Sequence, residues 1–321
     1  MSGSRVLCRL LAAGFLMLLC ATGLFAPVAL ASPAVFDADA DYVADDPKVC
    51  LMCHGAGSGM PADDVMHGVH GVVGNDASPF AEGQLGCQAC HGPSADHLGR
   101  QDDGSRPLPA VVFDDRHSVE KRDAVCLSCH TREAGTHWEG SLHEFGQVSC
   151  TGCHNVHGEA DSASTAAGRT DQCLTCHRQQ RAEMQQASSH PLRSGQMHCT
   201  DCHNPHGGPG PFMMPEHTLN DQCYQCHAEK RGPFLWEHAP VAEDCSHCHR
   251  PHGSNHRDLL QARTPWLCQE CHMAPFHPSS AESGMGLPPN GASSNLMAKD
   301  CSNCHTQVHG SNHPSGSGLT R

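Results

Sequence analysis

Apolar residues are concentrated in one run near the start of the chain and are thinly spread over the rest. Two arginines precede an apolar stretch from Leu10 to about Phe25, and small residues ending at Ala31 follow it. The stretch is shorter than the ~20 residues that a membrane-spanning helix requires, although a retained anchor remains the alternative. The pattern predicts a signal peptide over 1–31, cleaved after Ala31, and an exported mature chain.

Beyond this run, the sequence lacks the large side chains that fill an ordinary hydrophobic core. Aromatic residues make up 4% of the chain, with 2 Tyr and 3 Trp, whereas Gly and Pro contribute 32 and 22 residues. Side chains of this size bury little apolar area. Something other than side chains must therefore fill the interior.

The charge balance is acidic. Asp and Glu number 34 against 20 Lys and Arg, for a formal net charge of −14, and cleavage would remove two of those arginines. Binding to nucleic acid depends on a basic surface that neutralises phosphates. The composition therefore argues against a nucleic-acid partner.

Every cysteine after residue 31 belongs to a C-x-x-C-H unit, and there are ten such units. Twenty cysteines in an exported chain would ordinarily suggest disulfides, and C-x-x-C pairs also occur in zinc ribbons, but neither explains a histidine after every pair. The cysteines are Cys50, Cys53, Cys87, Cys90, Cys126, Cys129, Cys150, Cys153, Cys173, Cys176, Cys199, Cys202, Cys223, Cys226, Cys245, Cys248, Cys268, Cys271, Cys301 and Cys304. The histidines are His54, His91, His130, His154, His177, His203, His227, His249, His272 and His305.

This motif is typical of covalent c-type haem attachment. On one helical turn, residues i and i+3 share a face and i+4 lies beside them, so two thiols reach the porphyrin edge while the imidazole reaches the iron. The sequence thus predicts ten covalent haems, each with a proximal histidine. With roughly 29 residues per haem, the porphyrins would form most of the core. We expect an elongated multihaem cytochrome c with short helices at the CxxCH sites and little other regular structure.

The spacing of the motifs predicts five two-haem units. Segments 171–207 and 221–253 share one scheme: CxxCH, a spacer ending in His, a second CxxCH, then x-x-His-Gly. Such arrays place each unit against its neighbours. The predicted first to fifth units span about 45–115, 116–170, 171–216, 217–262 and 263–321, within one domain over 32–321.

The repeat also selects ten histidines as distal iron ligands. We name the histidines that precede the second site of each unit the forward set, and those that follow it the backward set. The sequence leaves open whether His67 or His70, and whether His309 or His313, is the ligand. Met is the chemical rival as sixth ligand, but only His recurs in register. The forward set is His70, His143, His190, His238 and His277; the backward set is His97, His157, His206, His252 and His309. Bis-histidine iron has no open position, which predicts an electron-transfer protein and not an enzyme.

The chain resembles the decahaem c-type cytochromes of the MtrA and DmsE type. The resemblance covers essentially the whole mature chain, including "CHAEKRGPFLWEHAPVAEDCSHCHRPHGSNH", "TPWLCQECH" and the ending "CSNCHTQVHGSNHPSG". It implies a rod-like protein at the periplasmic side of the outer membrane, inserted in an MtrB-like β-barrel porin. It also implies a periplasmic or inner-membrane cytochrome at one end, and an extracellular multihaem cytochrome or terminal reductase at the other.

Two other functions share the haem motifs. A soluble periplasmic electron shuttle or store would use every site without a barrel. A multihaem oxidoreductase of the nitrite- or hydroxylamine-converting kind would keep one iron open, often through a departure from CxxCH, and the ten motifs contain no such departure. The favoured interpretation is electron conduction between periplasm and cell exterior.

Overall fold

A computed structural model describes residues 35–37, 40–43, 47–132, 137–158, 161–272 and 300–320. The chain divides into two parts, Met1–Asp39 and Ala40–Arg321. The second part contains all ten CxxCH motifs. The predicted signal peptide and His277 lie outside the described residues.

Helices in the described residues are short, and none exceeds nine residues. The α-helices are Pro47–His54, Gln88–His91, Ala95–Leu98, Val119–Leu127, Leu142–Phe145, Ala166–Leu174, Arg178–Glu183, Leu219–Tyr224, Ala239–Glu243 and Trp266–Gln269. The 3₁₀ helices are Asp63–His67, Val69–Gly71, Cys150–Gly152, Ser162–Ser164, Cys199–Asp201, Pro211–Met213, Ala228–Lys230, Cys245–His247, Arg257–Leu259 and Cys301–Asn303. Across the described ranges, no helix has the length and apolar character needed to cross a membrane.

Turns and loops join these helices, and extended pairing is confined to isolated bridges in the described part of the chain. Ser188 and Ser254 exchange two backbone hydrogen bonds of 2.8 Å, and Trp236 and Ser311 exchange bonds of 2.9 and 3.0 Å. Both bridges join segments that belong to consecutive predicted units. The expectation of short helices at the CxxCH sites with little other regular structure is confirmed.

The protein core formed by side chains is small. Of the described apolar residues, nine are buried, and Val111 is the one whose side chain is fully enclosed. The polypeptide leaves large apolar residues uncovered: Met52, Phe145 and Phe212 are 78%, 89% and 70% exposed. The polypeptide alone therefore buries too little apolar area to account for a stable fold.

The glycine of the x-x-His-Gly repeat lies where another segment passes very close. Gly207 is buried with φ +111°, and a Cβ at this position would overlap the carbonyl oxygen of His137. Gly253 (φ +157°) approaches the carbonyl oxygen of Glu183 in the same way. Glycine is needed because it alone combines this backbone conformation with the absence of a side chain.

Candidate functional site

Each CxxCH motif folds as a single helical turn. In the nine sites from Cys87 to Cys301, the histidine N–H donates to the carbonyl of the first cysteine at 2.9–3.1 Å, and the second cysteine N–H does so at 3.1–3.3 Å. The tenth motif ends the helix Pro47–His54. The two thiols and the imidazole of each motif thus project from one turn, as haem attachment requires.

Hydroxyl caps begin the helices that carry the first site of the second, third and fourth units. Ser118 accepts a hydrogen bond from the N–H of Lys121, Thr165 from Gly168, and Thr218 from Asp221. Caps of this kind contribute about 1 kcal/mol each. Each cap therefore fixes where its helix begins, one to two turns before the first cysteine.

Buried polar side chains tie the first site of a unit to the second. Asp123 accepts hydrogen bonds from the Ser149 hydroxyl (2.6 Å) and the Cys150 N–H (3.0 Å). In the fourth unit, Asn220 accepts from the Cys245 N–H at 2.8 Å and donates to the carbonyl of Val241 at 2.9 Å. Both residues lie three positions before the first cysteine of their unit, so they hold the second CxxCH turn against the first helix.

The first cysteines of the two sites in each predicted unit lie near one another. In every unit, an interaction with the other first cysteine is among the causes that raise the pKa of one of the two thiols. The five pairs are Cys50 with Cys87, Cys126 with Cys150, Cys173 with Cys199, Cys223 with Cys245, and Cys268 with Cys301. The two sites of a unit are therefore close together at their first cysteines.

The second cysteines of consecutive units are also electrostatic neighbours. Burial raises the pKa of the last cysteine in each of the first four units, and a thiol of the following unit adds to the shift. These neighbours are Cys90 with Cys129, Cys153 with Cys176, Cys202 with Cys226, and Cys248 with Cys271. Together with the pairs inside units, these interactions link the cysteines of each CxxCH site to those of the next one along the chain.

Nine of the proximal histidines face one of the histidines selected by the repeat. The ring centres lie 5.9–6.4 Å apart. A metal–nitrogen bond of about 2.0 Å on each side, with about 1.1 Å from nitrogen to ring centre, gives ~6.2 Å for two imidazoles that share one metal ion. The pairs are His54–His97, His91–His157, His130–His70, His154–His206, His177–His143, His203–His252, His227–His190, His249–His309 and His272–His238.

These pairs cross between consecutive units in both directions. The forward-set ring of one unit faces the first site of the next unit, as His143 faces His177. The backward-set ring faces the second site of the preceding unit, as His206 faces His154. At the start of the chain, His97 faces His54 in its own unit. Of the residues left open by the sequence, His70 faces His130 and His309 faces His249.

Hydrogen bonds at Nδ1 orient most of these imidazoles. A carbonyl oxygen can only accept, so the bonded Nδ1 carries the proton and Nε2 keeps the lone pair that binds a metal. The carbonyl partners are Met60 for His54, Val111 for His91, Pro107 for His97, Pro205 for His143, Pro251 for His190, Phe212 for His203, Val308 for His238, Asp258 for His249 and Gly318 for His305. His154 differs, since its Nδ1 contacts a carboxylate oxygen of Asp161 at 2.5 Å.

Burial also favours the neutral, metal-binding form of several rings. Desolvation is the main reason why their pKa is lowered, and the charge of at least one neighbouring histidine adds to the effect in each case. The rings concerned are His70, His91, His157, His206, His252 and His309. Their Nε2 lone pairs are therefore available at neutral pH.

Histidines outside the two sets make local contacts. The Nδ1 atom of His198 lies 3.4 Å from the Thr170 hydroxyl, and Nε2 of His247 lies 3.6 Å from a carboxylate oxygen of Glu243. His313 accepts a hydrogen bond from the N–H of Ser315 at 3.1 Å. The polar neighbours of these three rings are thus a hydroxyl, a carboxylate and a backbone N–H.

Sequence reasoning did not identify the polar residues that support the sites. Asp123 and Asn220 share a position three residues before a first cysteine, a signal that alignment of the units could have given. Asp161 offers no such signal, because the corresponding acceptors in other units are backbone carbonyls.

The donor set fits haem, because each described pair supplies two imidazole nitrogens at the spacing of one iron, beside two thiols on one turn. Comparison with known proteins agrees with this chemistry. The doubled CXXCH motif matches residues 190–232 and 238–275, and the family described as cytochrome c-type protein NrfB-like matches 87–169. The chain is 43% identical over 286 residues to the multiheme cytochrome MtrA of Shewanella baltica (strain OS185), covering 88% of this chain and 84% of that protein. It belongs to the MtrA family of multihaem c-type cytochromes, whose CxxCH cysteines attach haem covalently.

Proposed function

We propose that this electron-transfer cytochrome holds ten bis-histidine haems in one unbroken series and conducts electrons between the periplasm and the cell exterior through an outer-membrane porin. The observation that carries the proposal is the pairing of histidines: nine proximal rings each face a second ring 5.9–6.4 Å away, and eight of these pairs join consecutive predicted units. The cysteines of successive CxxCH sites also lie near enough to shift one another's pKa, which supports an unbroken series.

The chain's own residues keep this series in register. When bound, haem supplies one-electron exchange between ferric and ferrous iron. The paired imidazoles would occupy both axial positions, and the Nδ1 hydrogen bonds would keep each ring turned toward its iron. Adjacent thiols would fix the edges of successive porphyrins next to each other. This arrangement supports passage of electrons from site to site without movement of the chain.

Closed coordination argues against catalysis by this protein. At nine sites, the second imidazole would occupy the position that a nitrite- or hydroxylamine-converting enzyme would leave free for its substrate. Magnetic circular dichroism of the oxidised protein should contain low-spin bis-histidine bands alone. A high-spin ferric band accounting for about one haem in ten would instead support the enzyme.

The porin partner follows from the barrier that the electrons would cross. An outer-membrane hydrocarbon layer is about 30 Å thick, and a polar, irregular backbone cannot face lipid directly. A large β-barrel offers a polar lumen for such a chain. We therefore propose an exported protein inside an MtrB-like porin, with a periplasmic or inner-membrane cytochrome at one end and an extracellular multihaem cytochrome or terminal reductase at the other.

Isolation of the native complex tests this function. Outer membranes are solubilised in mild detergent, the haem-stained complex is purified, and the proteins that migrate with this chain are identified. We expect a large β-barrel protein in about equal amount, while a periplasmic marker protein measured in parallel stays in the soluble fraction. Recovery of the cytochrome as a free monomer with that marker would replace the conduit with the soluble periplasmic shuttle.

A further inference from the structure

One proximal histidine differs from its counterparts in the Nδ1 partner. At the second site of the first, third, fourth and fifth units, Nδ1 bonds a backbone carbonyl oxygen, with distances of 2.9, 2.9, 2.7 and 2.5 Å. At the second site of the second unit, His154 Nδ1 lies 2.5 Å from Oδ2 of Asp161. The repeat therefore substitutes a charged acceptor for a neutral one at a single described second site.

The Asp161 carboxylate is fixed in this position by its own turn. It caps the 3₁₀ helix Ser162–Ser164: Oδ1 accepts from the Ala163 N–H at 3.2 Å, and Oδ2 accepts from the Ser164 hydroxyl at 2.8 Å. The Asp161 side chain is 23% exposed, so water screens the contact only in part. The short distance to His154 therefore reflects a built interaction and not a mobile surface pair.

A carboxylate changes the donor strength of the ring that it accepts from. Charge-assisted hydrogen bonds are stronger than neutral ones, and a carboxylate behind a metal-bound histidine raises the basicity of the ligating nitrogen. A more basic axial nitrogen stabilises ferric iron over ferrous iron. The negative charge of the carboxylate acts in the same direction.

We propose that Asp161 is a positioning residue that lowers the reduction potential of the haem held between His154 and His206, relative to the haems at the other second sites. The proposal rests on the axial ligation assigned under Proposed function and not on the porin. The fourth site of the series would then have a lower reduction potential than its neighbours. Electron transfer to this site would be energetically uphill from either side.

A second carboxylate approaches an axial ring more loosely. Glu183 Oε2 lies 3.5 Å from Nδ1 of His252, which faces His203. This distance exceeds that of a charge-assisted hydrogen bond, so Glu183 acts mainly as a nearby charge. The effect on the third-unit haem should be smaller than that of Asp161.

The test is a spectroelectrochemical titration of the purified holoprotein and its Asp161→Asn variant. The amide can still accept from Nδ1 through its oxygen, which makes the second unit like the others. We expect one component, about a tenth of the haem absorbance, to move to more positive potential while the rest stay in place. In Asp161→Glu, the reduction potential of this component should return toward that of the unmodified protein.

Two further variants separate the hydrogen bond from a general charge effect. Asp201→Asn removes the same charge from within another CxxCH turn, where the carboxylate accepts from the His198 N–H at 2.8 Å and not from an axial ring. This variant should shift the redox titration curve less than Asp161→Asn does. Ser164→Ala removes a competing donor from Oδ2 and should shift the component the opposite way, to more negative potential.

The outcomes distinguish this inference from the ligation beneath it. Unchanged potentials in Asp161→Asn, with full haem content and low-spin spectra, would overturn the role of Asp161 alone. An equal shift in Asp201→Asn would overturn it too, by reducing it to unspecific charge. A high-spin haem in the unmodified protein would instead contradict the bis-histidine series itself.

Discussion

At the scale of single residues, the nitrogen that does not bind metal determines how each imidazole is held. Backbone carbonyls orient nine of the rings, among them rings whose acceptor belongs to the following unit: His143 bonds the carbonyl of Pro205, which immediately precedes His206. The stretch Pro205–His206 of the third unit thus does two things for the second unit. His206 faces His154, and the carbonyl of Pro205 orients His143. Ring orientation and contact between units are therefore set together.

Loss of one backward-set ring should open one iron. We expect His206→Ala to convert the haem at His154 from low-spin to high-spin ferric iron, because the variant removes the facing nitrogen. Magnetic circular dichroism and carbon monoxide binding to the reduced protein measure the change, which should involve about a tenth of the haem.

The matched control is His198→Ala, which removes a histidine whose contact is with Thr170. This variant should keep low-spin spectra and bind no carbon monoxide. Equal spectra for both variants would mean that His206 is not a ligand.

At the scale of elements, the short helices depend on contacts between units more than on their own length. Helices of four to nine residues are unstable in isolation. Val119–Leu127, Ala166–Leu174 and Leu219–Tyr224 each have a hydroxyl cap at the start and a CxxCH turn at the end. Glycines such as Gly207 let a neighbouring unit approach closely. Each helix is therefore stable only in the assembled array.

The close approach at Gly207 should be sensitive to a single methyl group. In Gly207→Ala, the added Cβ would overlap the His137 carbonyl oxygen in a backbone conformation that L-residues rarely adopt. We expect a loss of at least about 2 kcal/mol in the free energy of unfolding, measured by urea titration of the holoprotein.

Two other glycines serve as controls that separate steric overlap from backbone strain. Gly195 has φ +69°, and a Cβ there would meet no described neighbour within 4 Å, so Gly195→Ala measures conformational strain alone and should cost about 1 kcal/mol. Gly74 has open space and no left-handed φ, and its replacement should change stability by less than about 0.5 kcal/mol. Equal losses at Gly207 and Gly195 would argue against tight packing between units.

The sequence predicts the local turns well because CxxCH spacing and helix geometry determine them together. It identifies the recurring histidines but not which rings face each other, since a ring such as His143 faces a site 34 residues further along the chain. The choice between His67 and His70 depends on the orientation of the two short 3₁₀ helices Asp63–His67 and Val69–Gly71, which periodicity does not encode. The distal assignments remain predictions, supported by this geometry.

At the scale of the whole molecule, the polypeptide depends on its cofactors. Nine buried apolar side chains in the described residues cannot offset the conformational entropy of a chain of this length. We expect the haem-free protein, produced without the haem attachment system, to be unfolded in circular dichroism and unprotected in hydrogen exchange. The holoprotein is the control, and a cooperative thermal transition in the haem-free chain would contradict this expectation.

Division of the chain at a predicted unit boundary should leave one site incomplete. A fragment of residues 171–321 keeps His177 but loses His143, the ring that faces it. We expect one high-spin haem in about six, with the same spectrum as the opened site in full-length His143→Ala. A fully low-spin fragment would show that ligation does not cross this boundary.

The crossing of histidines between units bears on how such proteins change length. A unit in the interior gives one ring forward and one ring backward, and receives one from each side. Tandem duplication of a whole unit therefore leaves every ring with a facing ring. Gain or loss of a single CxxCH segment leaves one histidine without a facing ring. Lineages that fit this cytochrome to thicker or thinner barriers would be expected to do so in steps of two haems, with the ends of the chain inherited unchanged.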